Sequence, residues 1–300
     1  MPRRGGPIEK RHVPNVQKVV VVASGKGGVG KSTIATNLAF ALSVRQNRTT
    51  NARLRVGILD LDIFGPSIPT LMGLQNAGEP ELTEKGALRP LRNGLPCMSM
   101  GFLMPSTTPA DGTEGDNIDT PVVWRGLMVQ KAVQQLLFDV DWRENGQPLD
   151  VLVVDMPPGT GDVPLTLGQL VKVDASVIVS TPQDVALSDV RKGIAMLKKV
   201  DVPITGLVLN HAYYLSPDDL SLTKRYLFGK PDNFHTVAGK LQVPILGELP
   251  LAEGVNASGD GGCPYYLSTV EADMQGGIVW KEELKKIAKA VDESLYGPCT

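Results

Sequence analysis

One short stretch of the chain has the residue types and the spacing of a phosphate-binding site. Residues 25–32 read Gly-Lys-Gly-Gly-Val-Gly-Lys-Ser and fit the pattern G-x-x-x-x-G-K-[ST]. Glycines in such a loop let backbone N–H groups approach phosphate oxygens that a Cβ would keep away. We expect Lys31 to reach the β- and γ-phosphates of a nucleotide, and the Ser32 hydroxyl to bind Mg²⁺. A plain glycine turn is the alternative interpretation.

The residues on either side of this loop predict the elements that position it. Residues 19–22 are four valines, which suit a strand buried on both faces. Residues 33–42 have apolar side chains three and four positions apart, as in a helix. The phosphates would then lie at a helix N-terminus, where the helix dipole favours negative charge. The residues that we expect to contact ATP here are Gly25, Lys26, Gly27, Gly28, Val29, Gly30, Lys31, Ser32 and Thr33.

Two aspartates follow apolar strands and are candidates for the metal and for catalysis. Residues 150–155 end in Asp155, and residues 55–60 are followed closely by Asp62. The carboxyl ends of parallel strands face the ligand crevice of an open sheet. We expect Asp155 to hold Mg²⁺, directly or through water, and Asp62 to orient or deprotonate the attacking water. The alternatives are a buried strand end for Asp155 and a turn with a helix cap for Asp62.

Two further segments are expected at the same edge of the sheet. Residues 156–162, Met-Pro-Pro-Gly-Thr-Gly-Asp, combine stiff prolines with glycines and predict a switch that senses ATP against ADP. Asn210 ends a predicted strand at 204–210, where its amide could read an adenine edge. The loop with Pro250 and Leu251 is expected to close over the base.

Strands that alternate with helices predict an α/β fold. We expect a single P-loop NTPase domain over residues 17–297, with a mostly parallel twisted sheet and helices on both faces. Other strands are predicted at 175–180 and 243–251, and helices at 127–139, 185–199 and 282–295. Residues 1–16 are rich in Pro, Arg and Gly and predict an extended, mobile lead-in. Residues 105–121 predict a flexible insertion.

Composition narrows the classes of function. The net charge is −2, which argues against a general nucleic-acid binder. No apolar run approaches the ~18–20 residues of a membrane span, so we expect no stable membrane insertion. The three cysteines, Cys97, Cys263 and Cys299, are scattered and contain no C-x-x-C. They predict no disulfide framework and fit a reducing compartment.

Lys26 is a second lysine in the phosphate loop, and a plain loop does not need it. The loop resembles the deviant phosphate loop of the MinD, ParA and nitrogenase-iron-protein group. In that group this lysine reaches across a dimer interface to the partner's nucleotide. The resemblance implies the same for Lys26, and therefore a homodimer when ATP is bound. Together with Lys26, we predict Lys31 and Asp62 as the catalytic residues. A solvated loop lysine is the alternative.

Six stretches together resemble the Mrp family of P-loop ATPases, which are iron–sulfur scaffold or carrier proteins. They are residues 24–33, 62–69, 98–103, 122–126, 155–162 and 181–184. The lead-in and the segment that begins at Cys97 resemble the mitochondrial branch of that family. The resemblance implies ATP, Mg²⁺ and a [4Fe–4S] cluster as cofactors and iron–sulfur clients among the subunits of respiratory complex I. It implies the mitochondrial matrix as location, with the cytoplasm as the alternative.

The chain departs from that family at one place. The family carries C-P-x-C after the residue that matches Asn210, and two subunits then supply four thiolates. Here Ser216 and Asp219 occupy the cysteine positions, and their oxygens match a cluster poorly. Cys263 and Cys299 are possible substitutes, and no cluster ligand is identified. Two other functions stay open: a nucleotide-gated binding switch of the MinD or ParA kind without a cluster, and an electron-transfer protein like the nitrogenase iron protein.

Overall fold

A computed structural model describes residues 9–103, 126–216, 223–269 and 275–298. The strands are β1 Val16–Ser24, β2 Val56–Asp60, β3 Leu91–Asn93, β4 Leu95–Ser99, β5 Leu149–Asp155, β6 Ala175–Ser180, β7 Gly206–Leu209, β8 Tyr214–Leu215, β9 Lys224–Arg225 and β10 Ile245–Glu248. The helices are α1 Lys31–Ser43, α2 Ile68–Leu71, α3 Gly126–Phe138, α4 Asp162–Leu170, α5 Asp184–Lys199, α6 Asp232–Leu241, α7 Glu253–Asp260 and α8 Gly276–Tyr296. Short 3₁₀ turns occupy Met100–Phe102 and Tyr265–Leu267.

Eight of the strands form one sheet in the order β10-β7-β6-β1-β5-β2-β4-β3. Every neighbouring pair in this sheet is parallel except β3 with β4. The predicted α/β class with a mostly parallel sheet is therefore confirmed. β1 lies in the middle, and its valines Val20, Val21 and Val22 have no exposed surface. The central strand that leads into the glycine loop is thus covered on both faces, as its β-branched residues predict.

The helices pack in two groups. α1 contacts α8 and α2, and α7 packs on both α2 and α8. α3, α4, α5 and α6 form a second series in which each helix contacts the next. Among the described helices, none combines the length and the apolar character that crossing a bilayer requires.

The chain becomes ordered earlier than the sequence predicts. Part of the expected mobile lead-in, residues 9–16, is packed against the domain. Arg11 pairs with Val171 as an isolated bridge, and Val13 is 1% exposed. The predicted insertion at 105–121 lies outside the described residues.

Several elements were not predicted, among them α2, α4, α6, α7 and the small antiparallel pair of β8 with β9. α8 also begins at Gly276, six residues before the predicted start at 282. The last predicted strand, 243–251, is ordered as a strand only over Ile245–Glu248.

Candidate nucleotide site

The glycine loop connects β1 directly to α1, as the sequence predicts. Gly30 is the N-cap of α1 with φ 81°, and Gly28 has φ 76°, both in the left-handed region. A Cβ on Gly30 would lie 2.3 Å from Nδ2 of Asn210. A Cβ on Gly25 would lie 2.4 Å from the backbone carbon of Asp189 in α5. The loop conformation therefore depends on glycine at both ends.

A cavity of about 430 Å³ opens in front of this loop. Its walls come from the loop, the segment after β2, the turn after β5 and one face of α7. The lining residues are Ser24, Lys26, Gly27, Gly28, Gly30, Lys31, Ser32, Thr33, Asp62, Pro66, Ser67, Thr70, Leu71, Pro158, Asn256 and Asp260. Two of the expected phosphate contacts, Gly25 and Val29, are not among them. Gly25 packs against α5, and Val29 is buried behind the loop.

Lys31 and Asp155 meet at the floor of the cavity. Nζ of Lys31 lies 2.6 Å from Oδ1 of Asp155 and 3.1 Å from Oγ of Ser32. Asp155 has no exposed surface, and its Oδ2 accepts no hydrogen bond of normal geometry from any described residue. The nearby Ser32 hydroxyl still helps to hold the pKa of Asp155 down against the effect of burial. A buried carboxylate oxygen without a donor of normal geometry is a ready ligand for a hard cation, and the Ser32 hydroxyl lies beside it. These residues fit the predicted magnesium site.

Asp60 is a functional residue that sequence reasoning missed. In the sheet it is in register with Asp155 on β5 and with Ser99 on β4. Its carboxylate accepts hydrogen bonds from the N–H of Asp62 at 2.9 Å, the N–H of Ile68 at 3.2 Å and the Ser99 hydroxyl at 3.1 Å. Asp60 thus holds both ends of the loop that carries Asp62. Its position at a strand end was the same signal that identified Asp155.

The carboxyl groups of this site hold protons more tightly than exposed aspartates. Burial raises the pKa of Asp60 to about 7, and the charge of Asp155 adds to the rise. Burial also raises the pKa of Asp62 and of Asp155, while the Lys31 ammonium opposes both shifts. A cation that binds here would favour the ionised forms and release these protons.

Asp62 and Lys26 both face the cavity, as expected of residues that act on phosphate. Asp62 is half-buried, and its raised pKa makes it a better proton acceptor than an ordinary aspartate. Lys26 is exposed and makes no side-chain hydrogen bond to any described residue. Its ammonium group is free to engage a charge brought by a ligand or by another chain.

A second cavity of about 500 Å³ adjoins the first. The three residues expected around adenine, Asn210, Pro250 and Leu251, all line it, together with α7 and Trp280. The residues common to both cavities are Gly28, Gly30, Thr33 and Asn256. Nδ2 of Asn210 donates to the carbonyl oxygen of Val29 at 2.9 Å, which couples this wall to the phosphate loop. The two spaces together have the layout of a phosphate compartment and a base compartment.

The turn after β5, which the sequence predicts as a switch, is hydrogen-bonded to the end of β1, directly before the phosphate loop. The N–H of Gly159 donates to the carbonyl of Ser24 at 2.9 Å, and the N–H of Met156 donates to Val22 at 3.1 Å. Pro158 lines the phosphate cavity. A movement of this turn would therefore be transmitted to the start of the phosphate loop.

The donor set fits a thiolate-bound iron–sulfur cluster poorly. Ser216 directly follows β8, while Asp219 and Cys299 lie outside the described residues. Of the described cysteines, Cys97 is buried and Cys263 is exposed. Within the described ranges there is no group of three or more His, Cys, Asp or Glu side chains that could hold a metal ion.

Comparison with known proteins gives a consistent result. A ParA-family profile described as NUBPL iron-transfer P-loop NTPase matches residues 15–291. The chain is 46% identical to the iron-sulfur cluster transfer protein NUBPL of Mus musculus over 271 residues, 90% of this chain and 76% of the mouse protein. It is 40% identical to an Arabidopsis thaliana iron-sulfur protein required for NADH dehydrogenase, mitochondrial, over 98% of this chain and 85% of that protein.

A solved structure extends the comparison to three dimensions. The nucleotide-binding protein of Archaeoglobus fulgidus in complex with ADP superposes with a TM-score of 0.64 at 32% identity. The match covers 84% of this chain and 88% of the archaeal chain.

Proposed function

The chain belongs to the NUBPL iron-transfer P-loop NTPase family, and on this premise we propose that it is a dimeric ATPase that serves the assembly of iron–sulfur proteins. The observation that carries the proposal is the buried pair of Lys31 and Asp155 beneath a glycine cradle, in which the second Asp155 oxygen has no partner of normal hydrogen-bond geometry in the described part of the chain. This arrangement supports the binding of a triphosphate together with Mg²⁺.

Each residue of the site has a role in this proposal. Backbone N–H groups of the loop and Lys31 bind the phosphates, and Ser32 and Asp155 hold Mg²⁺. When bound, the ion neutralises charge that develops on the phosphate oxygens. Asp62 orients or deprotonates the attacking water, and Asp60 fixes the backbone on both sides of it. Asn210, Pro250 and Leu251 form the wall against the base.

Lys26 provides the link to a dimer. Its exposed ammonium group makes no side-chain hydrogen bond within the described part of the chain, although it faces the phosphate cavity. In the proposal it reaches the nucleotide of the partner protomer, so ATP closes the dimer and hydrolysis reopens it. Turnover is slow because the cycle serves a conformational change. The clients are iron–sulfur proteins such as complex I subunits, and the site of action is the mitochondrial matrix.

Two measurements on the purified chain test the proposal together. Phosphate release with Mg²⁺ and ATP reports hydrolysis, and light scattering coupled to chromatography reports the mass with ATP, with ADP and without nucleotide. We expect slow hydrolysis and a doubled mass with ATP only. A chain that neither binds nor hydrolyses ATP, or one whose mass is indifferent to ATP, would contradict the proposal.

A further inference from the structure

The cysteines of residues 1–300 limit what this chain can do with iron and sulfide. A [4Fe–4S] cluster is held by four cysteine thiolates, and the chain has three cysteines: Cys97, Cys263 and Cys299. A single protomer therefore cannot provide the full set. A two-fold dimer would have to provide two cysteines from each protomer, and symmetry makes them the same two.

Cys97 is unsuitable as one of these two. It lies in the middle of β4, in register with Ile58 on one side and Leu91 on the other, and has no exposed surface. Burial raises the pKa of its thiol, and the charge of Asp60 adds to the rise. The thiolate is the form that binds metal, so this site disfavours it. The required pair would then have to be Cys263 and Cys299.

Cys263 lies at one end of α8. It precedes Tyr265, whose ring packs against Trp280 with 5.4 Å between the centroids. The ammonium group of Lys281 lies 4.9 Å from the centroid of the same ring. Both partners belong to the first turns of α8.

The sequence neighbour of Cys299 lies at the other end of α8. The carbonyl of Pro298 accepts a hydrogen bond from Arg48 at 3.2 Å, and Tyr296 donates its hydroxyl to the carbonyl of Asp150 at 3.3 Å. Trp280 and Tyr296 are 16 positions apart in α8, which is about 24 Å along the helix axis. Four sulfurs around one cluster must all lie within a few Å of it. Cys263 and Pro298, the residue before Cys299 in the sequence, therefore lie near opposite ends of α8. The described structure gives no support to a pairing of Cys263 with Cys299 around one cluster, either in one protomer or in a symmetric dimer.

We infer that this chain works in iron–sulfur assembly without a [4Fe–4S] cluster held by its own thiolates. The assignment to iron–sulfur assembly rests on the proposed function, whereas the separation of the cysteines does not. This differs from the role that the printed names of several relatives, "iron-sulfur cluster carrier protein", describe.

Anaerobic reconstitution with iron, sulfide and thiol tests the inference directly. Iron and sulfide are measured after desalting, with and without Mg²⁺ and ATP, for the wild type, for Cys263→Ser and for a double variant with Ser216→Cys and Asp219→Cys. We expect background iron in the wild type and no change in Cys263→Ser. The double variant, which restores C-P-x-C after Asn210, should retain about four iron atoms per dimer.

Three outcomes have distinct meanings. About four iron atoms per wild-type dimer, lost in Cys263→Ser, would overturn the inference. A double variant that stays free of iron would overturn the assignment of positions 216 and 219 as the missing ligand pair. Hydrolysis and ATP-dependent mass are measured on the same preparations, so failure of the proposed ATPase function is seen separately from iron binding.

Discussion

Nζ of Lys31 lies 2.6 Å from Oδ1 of Asp155, and the two side chains are 6% and 0% exposed. Desolvation offsets most of the attraction in such a buried pair, yet removal of one partner leaves an uncompensated charge. In the proposed function, phosphate oxygens engage Lys31, and Asp155 then needs another cation, which Mg²⁺ beside Ser32 would supply. We therefore expect the pair to couple nucleotide binding to metal binding.

Asp155→Asn should make ATP binding independent of Mg²⁺. We expect Mg²⁺ to strengthen ATP binding at least tenfold, about 1.4 kcal/mol, in the wild type and to have no effect in the variant. The variant also leaves Lys31 buried and unpaired, which should lower the free energy of unfolding by about 3–5 kcal/mol. Calorimetric titration with Mg²⁺ or EDTA, together with urea unfolding, measures both effects. Ser32→Ala is the matched control: it should weaken the dependence on Mg²⁺ with little loss of stability.

Lys26→Ala should separate binding from turnover. The Lys26 side chain is exposed and makes no hydrogen bond to any described residue, so its removal should leave stability and ATP affinity within about twofold. Hydrolysis and ATP-dependent dimerisation should both be lost, because the partner's phosphates lose a cation. The measurements are phosphate release and light scattering. Equal turnover in the wild type and in Lys26→Ala would remove the role across the dimer.

Comparison of Gly30→Ala with Gly28→Ala separates two causes of lost stability: a steric clash of the new Cβ and the strain of a left-handed backbone. Both glycines have positive φ, so alanine at either position should cost about 1–2 kcal/mol. A Cβ at position 28 meets no atom within 4 Å, whereas a Cβ at position 30 meets Asn210 at 2.3 Å. Urea unfolding without nucleotide should therefore find Gly30→Ala the less stable variant by a further 1 kcal/mol or more. Equal stabilities would show that Asn210 moves aside freely.

Asp60 should impose a pH dependence on stability. Its pKa rises to about 7 in the fold, so between about pH 4 and 7 the folded state binds a proton that the unfolded chain has released. The free energy of unfolding should accordingly fall as pH rises through this window, by at most about 1.4 kcal/mol per pH unit from this group. Asp60→Asn should flatten that slope, as measured by urea unfolding at several pH values.

Asp141→Asn is the control for this experiment, because folding lowers the pKa of Asp141 whereas it raises the pKa of Asp60. Hydrogen bonds from Arg143 hold the pKa of Asp141 below its usual range. The stabilisation of the folded state by the Asp141 carboxylate is therefore present above that range and is lost as pH falls. Replacing it should leave the slope between about pH 5 and 7 unchanged. A slope that is the same in the wild type and in Asp60→Asn would contradict the assignment to Asp60.

The phosphate loop and its strands were predictable because local sequence determines them. Glycine at position 30 is required by a left-handed backbone, and the valines of β1 suit a strand covered on both faces. The predicted membership of the P-loop family is also confirmed. That prediction rested on short loop sequences whose residues have a direct chemical role. Asp62, Asn210 and Leu251 were placed from strand ends alone, and the structure brings them to the two adjoining cavities.

The elements that escaped prediction depend on contacts between distant residues. α7 contains Gly254 and Gly259, which disfavour a helix, but a Cβ at these positions would press on Tyr265 and on Leu71. The close packing of α7 on Tyr265 and Leu71 therefore requires glycine at these two positions. The same glycines lower the helix propensity of the segment, so the sequence alone does not predict a helix there. The anchoring role of Asp60 likewise appears only when β4 and β5 lie beside β2.

The central claim is that the glycine loop holds a triphosphate whose magnesium ion lies beside Asp155. A crystal structure of the chain with Mg²⁺ and a non-hydrolysable ATP analogue tests it most directly. We predict phosphate oxygens about 2.7–3.2 Å from backbone nitrogens of residues 27–32, Lys31 moved from Asp155 to phosphate, and Mg²⁺ between Ser32 and Asp155. An analogue bound elsewhere, or bound here with Asp155 turned away from the ion, would contradict the account.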